Sequence, residues 1–189
     1  MAVEYLIEGD RAALGTLRRD LAPTYAAWMN RVDVRRSLPH LGLFDREAQE
    51  ARLAEQAKAN AQRQPEEVGF TIYDRRDGEA VGMSSLFKID HHHLRATFGI
   101  LLGERRGQGL GTEATRLALD WAFHVLSLRN VLLEVMDWNA AGIRAYEKAG
   151  FRHVGRRRDA LLHGGRRFDE VLMDAVPGDL TGSVLATRM

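Results

Sequence analysis

The sequence predicts an α/β protein: a mixed β-sheet with helices packed on its faces. Three observations carry this. The apolar pattern changes period, from helix-forming runs before residue 61 to strand-like alternation over residues 68–102. The later elements then follow in the order β-α-β-α-β-β, which places helices against a sheet containing parallel neighbours. A glycine-rich turn over residues 103–111 separates one of those strands from the helix after it. A length of 189 residues with 45% apolar content suits one compact domain.

Each element has a local reason. Residues 3–17 read as two short extended pieces around the Gly9-Asp10 turn. Asp20 is positioned to cap a helix running through Trp28, because a short carboxylate accepts from the free N–H groups at a helix start. Leu21, Tyr25 and Trp28 share one side of that helix. A second short helix is expected near residues 32–38, stopping before Pro39. Asp45 opens a longer polar helix to about Asn60, rich in good helix formers. Residues 68–73 form a strand, residues 74–78 end in the Asp-Gly turn signal, and residues 79–89 return. After a polar turn, residues 96–102 complete a β-meander.

From residue 112 to about 126 the period is helical. Ala114, Leu117, Ala118, Trp121, Ala122 and Val125 make the apolar stripe, with Glu113, Arg116, Asp120 and His124 as the wet face. Residues 131–135 form a buried strand and residues 139–149 a helix closed by Gly150. Residues 151–158 and 166–176 form the last strands. One domain therefore spans residues 1–176, and residues 177–189 are a loose tail.

The totals exclude several functions. Charged residues make up 28% with a net charge of only +1, against a dedicated nucleic-acid binder, which carries a basic excess. The absence of cysteine excludes disulfides, a cysteine nucleophile and thiolate metal ligands. No apolar run reaches the roughly 20 residues of a membrane span, and the first residues lack a secretory pattern. The expected address is the cytoplasm, with no membrane partner.

The most informative stretch is Gly103-Glu-Arg-Arg106-Gly107-Gln108-Gly109-Leu110-Gly111-Thr112, between a strand and a helix. The first N–H groups of a helix lack internal partners, and its dipole favours an anion there. Glycines let backbone approach phosphate oxygens, and Arg106 adds positive charge. A bare glycine turn is the plain alternative. A dinucleotide fingerprint needs glycine where Thr112 stands, and the Gly-Lys-Ser/Thr of a P-loop is absent.

Residues 106–111, Arg-Gly-Gln-Gly-Leu-Gly, match the Arg/Gln-x-x-Gly-x-Gly/Ala motif of the GNAT acetyltransferase superfamily, which the chain resembles. Asn139-Ala-Ala-Gly-Ile-Arg-Ala-Tyr146-Glu-Lys-Ala-Gly150-Phe151 is similar to a second signature of that family. The branch with ribosomal-protein N-terminal, spermidine and amino-sugar acetyltransferases is nearest in pattern. The resemblance implies a splayed sheet of the acyl-CoA N-acyltransferase type, acetyl-CoA as cosubstrate and a primary amine as acceptor. It implies that the backbone of residues 98–102, with Ile100, Leu101 and Leu102 in direct contact, holds the pantetheine arm. It gives residues 106–112 the diphosphate, Asn139 a cofactor contact, and Tyr146 the proton for the departing sulfur. Attack is direct, in a ternary complex.

Two positions depart from the family pattern. Gly142 stands where many members carry serine, and Thr97 where relatives often carry glutamate. The general base is therefore open among Glu104, Asp137, Asp90, the histidines and solvent. The alternative function is an acyl-CoA-binding sensor or scaffold with weak turnover. Asn139 also reads as a plain helix cap, and Tyr146 as a core aromatic. In His91-His92-His93 the outer two could share a side of an extended segment but His92 could not, and no third ligand cluster appears, so no metal is expected and the run reads as an exposed turn near the acceptor mouth. Arg156-Arg157-Arg158 and Arg166-Arg167 form a basic run across a hairpin. They guard a sheet edge, bind an acidic group, or supply a homodimer contact.

Overall fold

The computed structural model describes residues 4–36 and 42–186. β1 (Tyr5–Glu8) and β2 (Ala12–Thr16) turn at Gly9-Asp10, and β3 (Glu67–Asp74), β4 (Glu79–Asp90) and β5 (Arg95–Leu102) continue the meander. β6 (Asn130–Met136), β7 (Arg152–His163) and β8 (Arg166–Ala175) complete a sheet ordered β1-β2-β3-β4-β5-β6-β8-β7. Neighbours are antiparallel except β5 and β6, which run parallel because helix α4 (Leu110–His124) carries the chain back between them.

Alternation sorts the strand side chains onto two faces. Leu14, Phe70, Ile72, Phe98, Leu133 and Met173 join the core under α4, with α5 (Ala140–Ala149) packed beside that helix. The Arg116 guanidinium bonds the Lys148 carbonyl at 2.6 Å, satisfying a free acceptor at the end of α5. On the other face α1 (Ala22–Asn30) and α3 (Arg46–Asn60) build a second core from Tyr25, Trp28, Met29 and Leu53. The Tyr25 hydroxyl meets Thr71 Oγ1 of β3 at 2.6 Å. The mixed sheet with helices on both faces is thus as predicted.

Local chemistry explains the boundaries. Asp45 caps α3, its carboxylate accepting from Ala48 N at 2.6 Å. Asp20, in contrast, does not cap α1. A 3-10 turn (Arg19–Leu21) intervenes, Leu21 holds the cap position without a side-chain bond, and Asp20 pairs with Arg18 Nε at 2.9 Å. Pro23 sets the start instead, since its missing N–H costs nothing in a first turn. Helix α2 covers Val32–Arg35; the expected extension to Leu38 and the stop at Pro39 lie outside the described residues. β7 runs five residues past the predicted end to His163, with a bulge between Arg157 and Leu161.

The largest correction concerns the wet face of α4 and the tail. Asp120 is 2% exposed. Its carboxylate accepts from Ser183 Oγ (2.6 Å), Val184 N (2.6 Å) and Leu185 N (3.1 Å), and lies 2.7 Å from His124 Nδ1. Leu180, Val184 and Leu185 pack on the α4 core. The described part of the tail is therefore docked rather than loose. Asp120→Ala strands these donors, and we expect a loss of about 2 kcal/mol in urea unfolding. An unchanged midpoint would show that the tail is held elsewhere.

Candidate active site

β5 and β6 pair only through Arg95–Asn130, Ala96–Val131 and Thr97–Leu132. Beyond Thr97, β5 stays on β4 as far as Leu102, while β6 stays on β8 as far as Met136. The strands part, and residues 98–102 present a backbone edge with no ladder partner on the β6 side among the described strands. Unpaired edge groups of this kind accept an extended ligand. Ile100 and Leu102 turn to the α4 core and Leu101 to the α1 core, so these side chains hold the edge in place from both faces.

At the end of β5 the chain enters the glycine loop. Gly103 lies flat on the Trp28 ring, where a Cβ would overlap the indole. Gly107 (φ +78°) and Gly109 (φ +84°) are left-handed, a conformation other residues rarely adopt. Gly109 is the cap residue of α4 and supplies no side-chain bond, so the N–H groups of Leu110, Gly111 and Thr112 begin the helix uncapped. Leu110 is fully buried, and a Cβ on Gly111 would stand 3.0 Å from Leu102 Cδ1. The helix start is thereby pressed against the end of β5.

The charges around the loop are placed differently from the sequence expectation. Arg106 donates through Nε to the Leu102 carbonyl (2.7 Å) and pairs with Asp33 through Nη1 (2.6 Å). It does not stand free for an anion, because the last β5 carbonyl and the acid of α2 converge on it. Gln108 Oε1 accepts from Arg76 at 2.8 Å. Beneath them, Asp74 has no exposed side-chain surface and binds Arg76 and Arg105, each at 2.6 Å. The Arg76 guanidinium first, then Arg105, holds its carboxyl well below the usual range. A depressed carboxylate contributes stability that is present above its unfolded pKa and lost as pH falls through the folded one. Asp74→Asn should therefore lower the thermal midpoint by roughly 5 °C near neutrality. The gap from wild type should close as pH falls; a gap independent of pH would assign the effect to packing.

Helix α5 supplies the second signature. Asn139 Oδ1 accepts from Gly142 N at 3.0 Å, a helix cap. A Cβ on Gly142 would come within 2.5 Å of Asn139 Nδ2, so serine there would displace the capping side chain. Tyr146 packs edge-on to Phe151, centroids 6.1 Å apart, and Phe151 stacks on Phe98 at 6.0 Å. This aromatic line ties Tyr146 to the point where β5 leaves β6. The Tyr146 hydroxyl has no hydrogen-bond partner among the described residues, and burial pushes its pKa up to about 12. It is a neutral phenol at ordinary pH, able to donate a proton.

The candidate bases are mostly engaged. Glu104 accepts from Trp28 Nε1 at 3.2 Å, and Asp137 lies 3.3 Å from Arg156. Asp90 anchors the histidine turn, and the backbone N–H of His93, more than any other group, depresses its pKa. His91 Nε2 meets the Pro65 carbonyl. Among the described residues no three His, Asp or Glu side chains gather as a metal site. The basic run lies at a sheet edge: Arg156 meets Asp137 and Asp169, and Arg157 bridges Glu134 and Glu170. Burial, then Glu134, raises the Glu170 pKa. Sequence reasoning missed Glu134 and Glu170, and also Glu113, whose carboxylate accepts from the backbone of Asp10 (2.5 Å), Arg11 (3.1 Å) and Ala12 (3.2 Å). Only the helical position of Glu113, in the first turn of α4, hinted at such a contact.

A family model described as an acetyltransferase (GNAT) domain matches residues 11–152. The spermidine N(1)-acetyltransferase of Escherichia coli (strain K12) is 43% identical over 98 residues, covering 51% of this chain and 53% of the relative. The chain matches between 52% and 65% of the length of such curated relatives. Among solved structures, the Vibrio cholerae spermidine N-acetyltransferase in complex with CoA and spermine superposes with a TM-score of 0.81 at 21% identity, covering 91% of this chain and 99% of that one. Mycobacterium smegmatis RimJ in complex with CoA-disulfide gives 0.80 at 20% identity, covering 94% and 89%. At these identities the structures show a shared fold.

Proposed function

Because the chain belongs to the GNAT acetyltransferase family, we propose that it transfers an acetyl group from acetyl-CoA to a primary amine. The observation that carries this reading is the parting of β5 from β6 beside an uncapped α4 start with two left-handed glycines. A strand edge for an amide-bearing arm and a helix N-terminus for a diphosphate are the two grips that such a donor requires.

In this reading Ile100, Leu101 and Leu102 hold the pantetheine arm and polarise the thioester carbonyl through backbone N–H groups. Residues 106–112 hold the diphosphate through their backbone N–H groups, the Arg106 side chain being committed to Leu102 and Asp33, and Asn139 touches the arm from the start of α5. The amine lone pair forms the new C–N bond as the C–S bond breaks. Tyr146 delivers its proton to the departing sulfur, the surplus proton of the amine leaves to solvent, and solvent returns a proton to the tyrosinate. No metal takes part. Residues 1–176 make up the catalytic domain. The cytoplasm is the proposed location, and a homodimer is the assembly that the reading allows, open to sedimentation analysis.

The acceptor classes are small amines, amino sugars and protein N-termini; the spermidine activity named for the E. coli relative brings polyamines into the test. Thiol release from acetyl-CoA, measured with spermidine, glucosamine and a peptide with a free N-terminal amine, tests the proposal. Turnover with at least one class is expected. Tight acetyl-CoA binding without thiol release from any of them would mark a sensor instead.

A further inference from the structure

We propose that Arg11, on the turn between β1 and β2, is the guanidinium that binds the diphosphate of the acyl donor; this rests on the α4 start being the acyl-CoA site. Of the arginines on or against the loop leading into that start, Arg31 is committed to the Gly103 carbonyl and Asp33, and three more are likewise engaged. Arg76 is spent on Asp74 and Gln108, Arg105 on Asp74 and Asp77, and Arg106 on Asp33 and the Leu102 carbonyl. The Arg11 guanidinium is exposed and has no hydrogen-bond or ion-pair partner among the described residues. A Cβ built on Gly109 would stand 3.5 Å from Arg11 Nη1. Arg11, without a hydrogen-bond or ion-pair partner among the described residues, therefore lies against the cap residue of α4.

Its position is built rather than accidental. The Glu113 carboxylate, in the first turn of α4, gathers the backbone N–H groups of Asp10, Arg11 and Ala12. Gly9 leaves room for that carboxylate, which would collide with any Cβ there. Just past the end of β3, Arg75 N donates to the Arg11 carbonyl at 2.8 Å and Arg75 Nη1 to the Gly9 carbonyl at 2.5 Å. The turn is held from two sides while the Arg11 side chain is left free. An acid in the first turn of a helix is favourable in its own right. Here its oxygens accept from backbone amides and form no ion pair with the Arg11 guanidinium among the described residues. A planar guanidinium beside open helix N–H groups matches phosphate oxygens with charge and paired donors together.

Calorimetric titration of CoA and dephospho-CoA into wild type, Arg11→Gln and Arg106→Gln tests this. Arg11→Gln should weaken both ligands alike, by about tenfold, with an unchanged thermal midpoint in the absence of ligand. The loss should shrink toward 1 M salt, where screening acts within about 3 Å. Arg106→Gln should weaken binding less. Wild-type affinity in Arg11→Gln overturns the inference while leaving the donor site intact. A loss seen only with CoA moves Arg11 to the 3′-phosphate and overturns it too, as does a larger loss in Arg106→Gln or a salt-independent loss with a lowered midpoint. Failure of the wild type to bind CoA overturns the donor site itself.

Discussion

Tyr146→Phe is expected to lower kcat roughly a thousandfold while leaving CoA affinity within twofold, within the range for loss of a general acid. The substitution removes one oxygen and keeps the ring against Phe151, so packing along the line to Phe98 survives. That oxygen has no protein partner among the described residues, so its removal leaves no other buried group stranded. With its pKa pushed up to about 12, the phenol carries its proton across the working range. The alkaline limb of the wild-type rate should therefore not arise from Tyr146 below pH 10. Stopped-flow measurement of acetyl transfer with calorimetry of CoA binding separates the effects. Normal turnover in the phenylalanine variant would make Tyr146 a core aromatic only.

Gly109→Asp should weaken CoA binding about a hundredfold. Aspartate tolerates the left-handed conformation better than most residues, so the backbone at φ +84° accepts it at modest cost. Its charge is the difficulty. A carboxylate there faces the phosphates at the mouth of α4 and lies within reach of Arg11, cancelling that guanidinium. Gly109→Asn, similar in shape but neutral, should lose far less. Equal losses in the two variants would assign the effect to backbone strain, and unchanged affinity would remove the loop from the donor site.

What the sequence made legible were features with short-range causes. The α3 cap at Asp45, the close of α5 at Gly150, and the switch from strand to helix after Leu102 each follow from residues a few positions apart. The two motif blocks located the glycine loop and α5 without any tertiary information. What stayed hidden depends on contacts far along the chain. Asp120 sits at a wet-face period, and only Ser183, Val184 and Leu185, more than 60 residues on, make it internal. Arg106 looked free because Asp33 lies 73 positions away. Glu113 looked like solvent-facing helix because its partners are backbone amides near residue 11, which carry no side-chain signature. Asp20 misled for the opposite reason: a cap signal was real, but Arg18 beside it captured the carboxylate.

The clasp at Asp120 has a consequence for vectorial synthesis. The eight described strands and α4 all precede residues 183–185 in the chain, so a sheet that forms before that segment docks would do so around an aspartate without its donors. Until translation passes that point the carboxylate must keep water in the groove of α4, and the last apolar patch stays uncovered. A released chain ending at residue 182 should then be far more protease-sensitive than one that includes residues 183–185.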